Sequence, residues 1–269
     1  MNLHQCYLTK NACYIQGTKI TPKGVVVHST GANNPRLKRY VQPNDGLLGA
    51  NTAGNHWNQA YPGGKSVCVH AFIGKLENGS IATHQTLPFN YKGWHVGAGS
   101  KGSANNTHIG FEICEDGLND KTYFDAVYKE AVEFCAYICK LYNFDPLADG
   151  VVICHSEAYS RGIGSNHADV MHWFPKFGKN MNTFRADVAA LMKEEEEEMT
   201  QEQFNKMMEN YMSEQGKLEP GDWSAEARQF CIDNGIFAGY GNGEYGWKGL
   251  LSREQAAQLI YNLHKKGAL

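Results

Sequence analysis

Short apolar runs that end in polar residues recur along the first part of the chain. They are Gly24-Val25-Val26-Val27-His28-Ser29-Thr30, Ile109-Gly110-Phe111-Glu112-Ile113-Cys114 and Val151-Val152-Ile153-Cys154-His155-Ser156-Glu157. Runs of this length, rich in β-branched residues and bounded by turn formers, predict strands. The expected strands are 24–28, 67–74, 80–84, 108–114 and 150–154. Residues 122–142 instead carry Phe124, Val127, Tyr128, Ala131, Val132, Cys135, Ile138 and Cys139 three or four apart. That is the period of a helix with one face on a core. Glycine, asparagine and proline cluster at 31–34, 43–55, 61–64 and 97–106 and predict surface loops, where binding groups sit on a rigid scaffold. The simplest architecture is α/β, a central sheet flanked by helices.

The pattern breaks at Lys193-Glu194-Glu195-Glu196-Glu197-Glu198, after the amphipathic stretch Phe184 to Met192. A run of like charge reads as a solvated helix end or a linker. The expected organisation is a catalytic domain at 1–192, an acidic linker or helix end at 193–200, and a small all-α domain at 201–269. The last contains a Gly-rich turn, Gly239 to Gly246. A length of 269 residues accommodates one or two domains.

Composition narrows the classes. Hydrophobic content of 42% and charged content of 20% are those of ordinary globular proteins. A net charge of -3, with no basic block or aromatic-basic stripe, argues against nucleic acid as partner. No run approaches the roughly 20 apolar residues that span a bilayer, so no membrane insertion is expected. The segment Met1 to Lys10 has no basic region followed by an apolar one, and the expectation is synthesis in the cytoplasm without a signal peptide. Eight cysteines include no CxxC pair. Cys114 and Cys154 fall in expected strands, and Cys135 and Cys139 fall on the apolar helix. Reduced buried thiols are therefore expected rather than a disulfide framework.

The polar residues that close the apolar runs carry the candidate chemistry. His28 ends one Val-rich run and His155 repeats the pattern after Val-Val-Ile-Cys. Taken alone, either could be a structural histidine; the repetition favours a metal. Asp169 lies fourteen positions beyond His155, across a loop long enough to fold it back beside that histidine. Catalytic zinc takes three such ligands and leaves a fourth position for water. Glu112 sits in a strand, where it is either on a wet edge or desolvated into a useful base. His167, two residues before Asp169, either lies in solvent or faces the same pocket and stabilises an oxyanion. His56, His70, His84, His95, His108 and His172 compete for these roles, and His70 and His84 leave a rival zinc set open. Trp94 beside His95 either packs a loop on the core or binds a sugar or peptide.

At these residues the chain resembles the zinc-dependent N-acetylmuramoyl-L-alanine amidases of the type 2 family, which includes peptidoglycan recognition proteins. The matching pieces are Val-Val-Val-His28-Ser-Thr, Val69-His70-Ala71-Phe72-Ile73 with Asn78-Gly79-Ser80-Ile81, Gly93-Trp94-His95-Val96-Gly97, Asn106-Thr107-His108-Ile109-Gly110-Phe111-Glu112, and Cys154-His155-Ser156-Glu157. They recur in family order over roughly 24–177. The resemblance implies a central mixed β-sheet flanked by helices, with Zn2+ held by His28, His155 and Asp169. It makes Glu112 the general base, His167 the oxyanion stabiliser, and Trp94, His95 and Asn106 substrate-binding residues. Many relatives carry Lys-x-Cys-Pro or Lys-x-Asp-Pro where this chain has His167-Ala168-Asp169-Val170, after a longer loop. The implied reaction is hydrolysis of the amide between N-acetylmuramic acid and L-alanine in bacterial peptidoglycan.

The C-terminal segments Asp222-Trp223-Ser224-Ala225, Gly235-Ile236-Phe237-Ala238-Gly239-Tyr240-Gly241 and Ser252-Arg253-Glu254-Gln255-Ala256 resemble one S-layer homology module. Such modules hold proteins to secondary cell-wall polymers; packing or self-association is the alternative. Ser252 with Gln255 also fits a helix capping box. Together these resemblances point to a phage or prophage endolysin, made in the host cytoplasm and acting on the cell wall after release. The alternatives are a cytosolic muropeptide-recycling amidase and a peptidoglycan-binding protein without activity.

Overall fold

The apolar runs become strands of one sheet, Gly24–Ser29 and His108–Ile113 paired on both sides and the run at 151–154 paired at its edge. A computed structural model describes residues 1–196 and 201–267. In chain order the elements are β1 (Leu3–Gln5), α1 (Ala12–Gln16), β2 (Gly24–Ser29), β3 (Ala71–Lys75), β4 (Ile81–Gln85), β5 (His108–Ile113), α2 (Lys121–Tyr142), β6 (Val152–Cys154), α3 (His155–Ser160), α4 (Met181–Glu196), α5 (Gln201–Lys217), α6 (Ala225–Asp233) and α7 (Arg253–Lys265). Contacts divide the chain into two units, Met1–Glu196 and Glu197–Leu269. The expected linker or helix end at 193–200 falls partly on 197–200, outside the described residues.

The strands form one mixed sheet in the order β1-β4-β3-β5-β2-β6. Only β3 and β4 pair antiparallel; the other four pairings are parallel. All five expected strands are present with shifted ends. The largest shift is at 67–74, where β3 starts only at Ala71. There Cys68 instead bridges to Trp94 outside the sheet. β1 was not expected, because its three residues are too few to show a period.

Alternation sorts each strand into two faces. Val25, Val27, Ile109, Phe111, Ile113, Val152 and Cys154 pack into the main core with α2 and α4. α2 begins at Asp120, whose side chain accepts from the Tyr123 amide, and ends at Asn143 in the left-handed conformation. Its apolar stripe is buried from Tyr123 to Cys139, and Phe134 meets Phe111 edge to face at 5.3 Å. The opposite residues, Val26, His28, Gly110, Glu112 and Ile153, face α3 and the long loops. There Ala158 of α3 packs on Val26 and Ile153. Farther along that face, Cys13 of α1 joins Phe72 and Leu37. All eight cysteines are free and seven are buried.

In the second unit α5, α6 and α7 are joined by loops, with one bridge between Gly241 and Glu244. Ser252 and Gln255 form the expected capping box: the Ser252 hydroxyl accepts from the Gln255 amide, and the Gln255 side chain accepts from the Ser252 amide. Tyr245 stacks on Trp247 with ring centres 5.1 Å apart, and Phe237 meets Trp247 at a tilt, 5.2 Å away. Among the described residues of this unit only Ile236 is a buried apolar residue, while Trp223, Tyr240 and Leu250 are exposed. No described helix is long and apolar enough to cross a membrane.

Candidate metal centre

Because β2, β5 and β6 run parallel, their C-terminal ends meet at one edge of the sheet. Crevices at such edges are where open α/β sheets place ligands. His28 lies opposite Glu112 in the β2–β5 register, and Val27 lies opposite Cys154, the residue before His155. The segment after α3 then turns back. The Ile163 amide donates to Ala158 and the Ser165 amide donates to Val96. Gly164 is pressed so closely on Val96 and Ala158 that a Cβ there would lie within 3.0 Å of both. Buried Val170 and Trp173 anchor the chain just beyond Asp169.

The result is one cluster of three candidate ligands, His28, His155 and Asp169, whose ligand atoms lie within 4.8 Å of one another. Nδ1 of His28 is 3.0 Å from Asp169 Oδ2, and Nδ1 of His155 is 3.1 Å from the same oxygen. The two imidazoles stand perpendicular, 4.9 Å apart. A tetrahedral zinc site with bonds of about 2.0–2.1 Å has ligand-to-ligand edges of about 3.3–3.4 Å. Both nitrogen-to-oxygen distances are close to that edge, and two imidazole nitrogens with one carboxylate oxygen are a donor set zinc takes, so the residues fit zinc. Burial works to raise the Asp169 pKa. Hydrogen bonds from His155 and His28 outweigh it and hold the carboxyl well below its usual range. Burial lowers the His28 pKa despite Asp169.

The outer nitrogens are also held. His28 Nε2 lies 2.9 Å from His95 Nδ1, and His155 Nε2 lies 3.1 Å from Ser165 Oγ. Ser165 Oγ is also 3.2 Å from the Val96 carbonyl and from His167 Nδ1. His167 itself is exposed, its ring 4.5 Å from that of His155. Glu112 Oε2 is buried with no hydrogen-bond partner. Burial, then the charges of Asp169 and Glu115, push its pKa well above the usual carboxylate value.

Of these groups, Glu112, His155, Ser165, His167 and Asp169 line a cleft of about 790 Å³ that continues past Trp94 to Arg39, Asn55, Trp57, Gln59 and Lys65. Neither Arg39 nor Lys65 pairs with a carboxylate among the described residues. Trp94 stands 41% exposed at the rim. His95 also lines the cleft but turns Nδ1 to His28. Asn106 is an exposed residue at the end of a 3-10 turn and is not among the residues that line the cleft. Its neighbour Asn105 is the buried one, accepting from the His95 and Val96 amides and donating to the Gly97 carbonyl. The turn points consecutive side chains in different directions, which the doublet Asn105-Asn106 does not reveal in sequence. The cleft wall at 39–65 was missed because its residues carry no period and no motif.

Four of the competing histidines have other partners. His84 pairs with Asp45, His108 with the Gly150 carbonyl and His172 with Glu115. His70 is fully buried; Nδ1 accepts from the Gly110 amide and Nε2 donates to the Tyr91 carbonyl. Burial takes its pKa from 6.5 down to about 4. The fold holds the neutral form, so this contribution is complete above pH 6.5 and is lost as pH falls toward 4. It amounts to about 3 kcal/mol. The difference in Tm between the wild type and His70→Gln should therefore narrow as pH falls through this window. A constant difference would show that His70 does not titrate on unfolding.

A family model described as N-acetylmuramoyl-L-alanine amidase matches residues 17–176, a span that includes every candidate site residue. Among solved structures, the chain is similar to the Staphylococcus aureus hydrolase AmiA in complex with its ligand. The identity is 19%, covering 71% of this chain and 83% of that one, with a TM-score of 0.49. It is similar to a mutant endolysin from Bacillus subtilis at 21% identity, covering 70% and 99% respectively, with a TM-score of 0.47. It is also similar to the endolysin N-acetylmuramoyl-L-alanine amidase LysCS from Clostridium intestinale at 16% identity, covering 60% and 86%, with a TM-score of 0.33. No curated protein matches the chain in sequence.

Proposed function

Because the chain belongs to the N-acetylmuramoyl-L-alanine amidase family, we propose that it is a zinc-dependent hydrolase of peptidoglycan. The bond cleaved joins the lactyl group of N-acetylmuramic acid to L-alanine of the stem peptide. One observation carries this reading: two imidazoles and one carboxylate converge at a cleft that His155 and Asp169 line, together with Glu112, whose buried Oε2 has no hydrogen-bond partner. Zinc held by His28, His155 and Asp169 would supply a Lewis acid for the carbonyl and lower the pKa of the attacking water. Glu112 would accept a proton from the attacking water and return it to the leaving amine, so that the nitrogen departs neutral. His167, at the cleft mouth and tethered through Ser165, supports the developing oxyanion. Trp94 offers a flat apolar face to the glycan or peptide at the rim.

The proposed setting is lysis of a bacterial wall by a phage or prophage endolysin, with the second unit engaging a secondary wall polymer. The S-layer-homology-like segments in that unit support this setting. The test is mass spectrometry of fragments released from purified Gram-positive walls, with and without that polymer, before and after chelation. The expected products are glycan ending in a free lactyl group and peptides with a new L-alanine amino terminus. They should vanish on chelation, return with zinc, and form more slowly on walls stripped of polymer. New reducing sugar ends would assign a different bond; equal rates on stripped walls would remove the polymer as partner.

A further inference from the structure

We infer that His95, seated in a notch at Gly110, is a positioning residue for the zinc ligand His28. The inference rests on the zinc reading given above. A metal on His28 Nδ1 leaves the ring proton on Nε2, and that proton needs an acceptor. His95 Nδ1, 2.9 Å away, is that acceptor. One hydrogen bond at the outer nitrogen fixes both the tautomer and the rotation of the ring, and it makes the inner nitrogen a stronger donor.

The seat is built for this ring. A Cβ on Gly110 would lie 2.4 Å from His95 Nδ1 and 2.5 Å from its Cε1, so only glycine in β5 leaves space for the imidazole. On another side, a Cβ on Gly93 would reach within 3.0 Å of His95 Cδ2. The His70 ring stands edge-on at 5.9 Å and the His28 ring at 5.0 Å. The backbone is clamped as well, since Asn105 Oδ1 accepts from the His95 amide at 2.9 Å. His95 Nε2 is buried without a partner at bonding distance, so the contact to His28 and the shape of the seat hold the ring.

Zinc affinity of the full chain, measured by competition with a chromophoric chelator, tests the inference without reference to activity. His95→Leu should weaken zinc binding by about 10–100-fold, the usual effect of losing an outer partner. His95→Asn, whose Oδ1 replaces Nδ1 as acceptor, should stay within about threefold of wild type on the same grounds. Gly110→Ala should reproduce the leucine phenotype with His95 intact, and it decides the matter if His95→Leu does not fold. Loss of the acceptor should also change the visible absorption of the cobalt-substituted protein, which the asparagine variant should restore. Wild-type affinity in His95→Leu or Gly110→Ala would overturn the positioning role and leave the metal site standing. A wild type that binds no zinc would overturn the metal reading itself, and this inference with it.

Discussion

Glu112→Gln should lower the rate of peptide release by about 10³-fold while the protein still binds one zinc per chain. A positioned general base contributes about 10²–10⁴-fold, and a glutamine amide of the same shape accepts no proton. Glu112 is not among the three candidate ligands, so metal content should not change. Stability should hold or rise, because the carboxylate is desolvated beside Asp169 and Glu115, and its Oε2 has no partner to lose. A buried charge without a partner is costly, whereas a neutral amide relieves both the desolvation and the repulsion. Single-turnover rates, metal analysis and Tm on one preparation would check all three parts. Undiminished turnover would remove Glu112 as the base.

Asp169→Ala should abolish both zinc binding and turnover. The oxygen that both imidazoles face is removed, leaving two neutral nitrogens and no anion. The affinity loss should exceed the roughly 100-fold upper range for outer partners, because a ligand itself is gone. In the metal-free protein, His28 Nδ1 is left buried without its acceptor, which costs about 1–3 kcal/mol. Asp169→Asn separates charge from shape: it keeps the size but not the anion, and it should also lose zinc by more than the same roughly 100-fold. Titration with a chelator in competition measures each variant. Wild-type zinc affinity in Asp169→Asn would show that another group completes the site.

How much was legible in the sequence varies by element, for physical reasons. β2 and β5 could be read because parallel central strands are buried on both faces and appear as continuous apolar runs, and β6, at the sheet edge, because all three of its residues are buried. α2 could be read because one face of a long helix repeats the apolar period many times. The juxtaposition of Asp169 with His155 followed from a loop long enough to return, although nothing local marks where it turns. The difference between Asn105 and Asn106 was not legible, since a 3-10 turn gives no periodic signal. The contact between His95 and His28 was hidden for another reason. It depends on the missing side chain of Gly110, a residue that in sequence reads only as a weak point in a strand.

The cleft has a consequence for how such a protein can diversify. His28 and Glu112 sit on strands whose neighbouring residues, Val27 and Phe111, point into the main core. A single insertion inside either strand would exchange the two faces, turning a phenylalanine or valine toward the cleft side and a polar side chain into the apolar core. The candidate metal centre is therefore locked to the fold and tolerates almost no drift. The far wall, with Asn55, Trp57, Gln59 and Lys65, lies in the long connection between β2 and β3, which contains no strand. Loops of that kind accept insertions and exchanges at small cost. The cleft can thus be reshaped by rewriting one connection while the candidate centre stays unchanged.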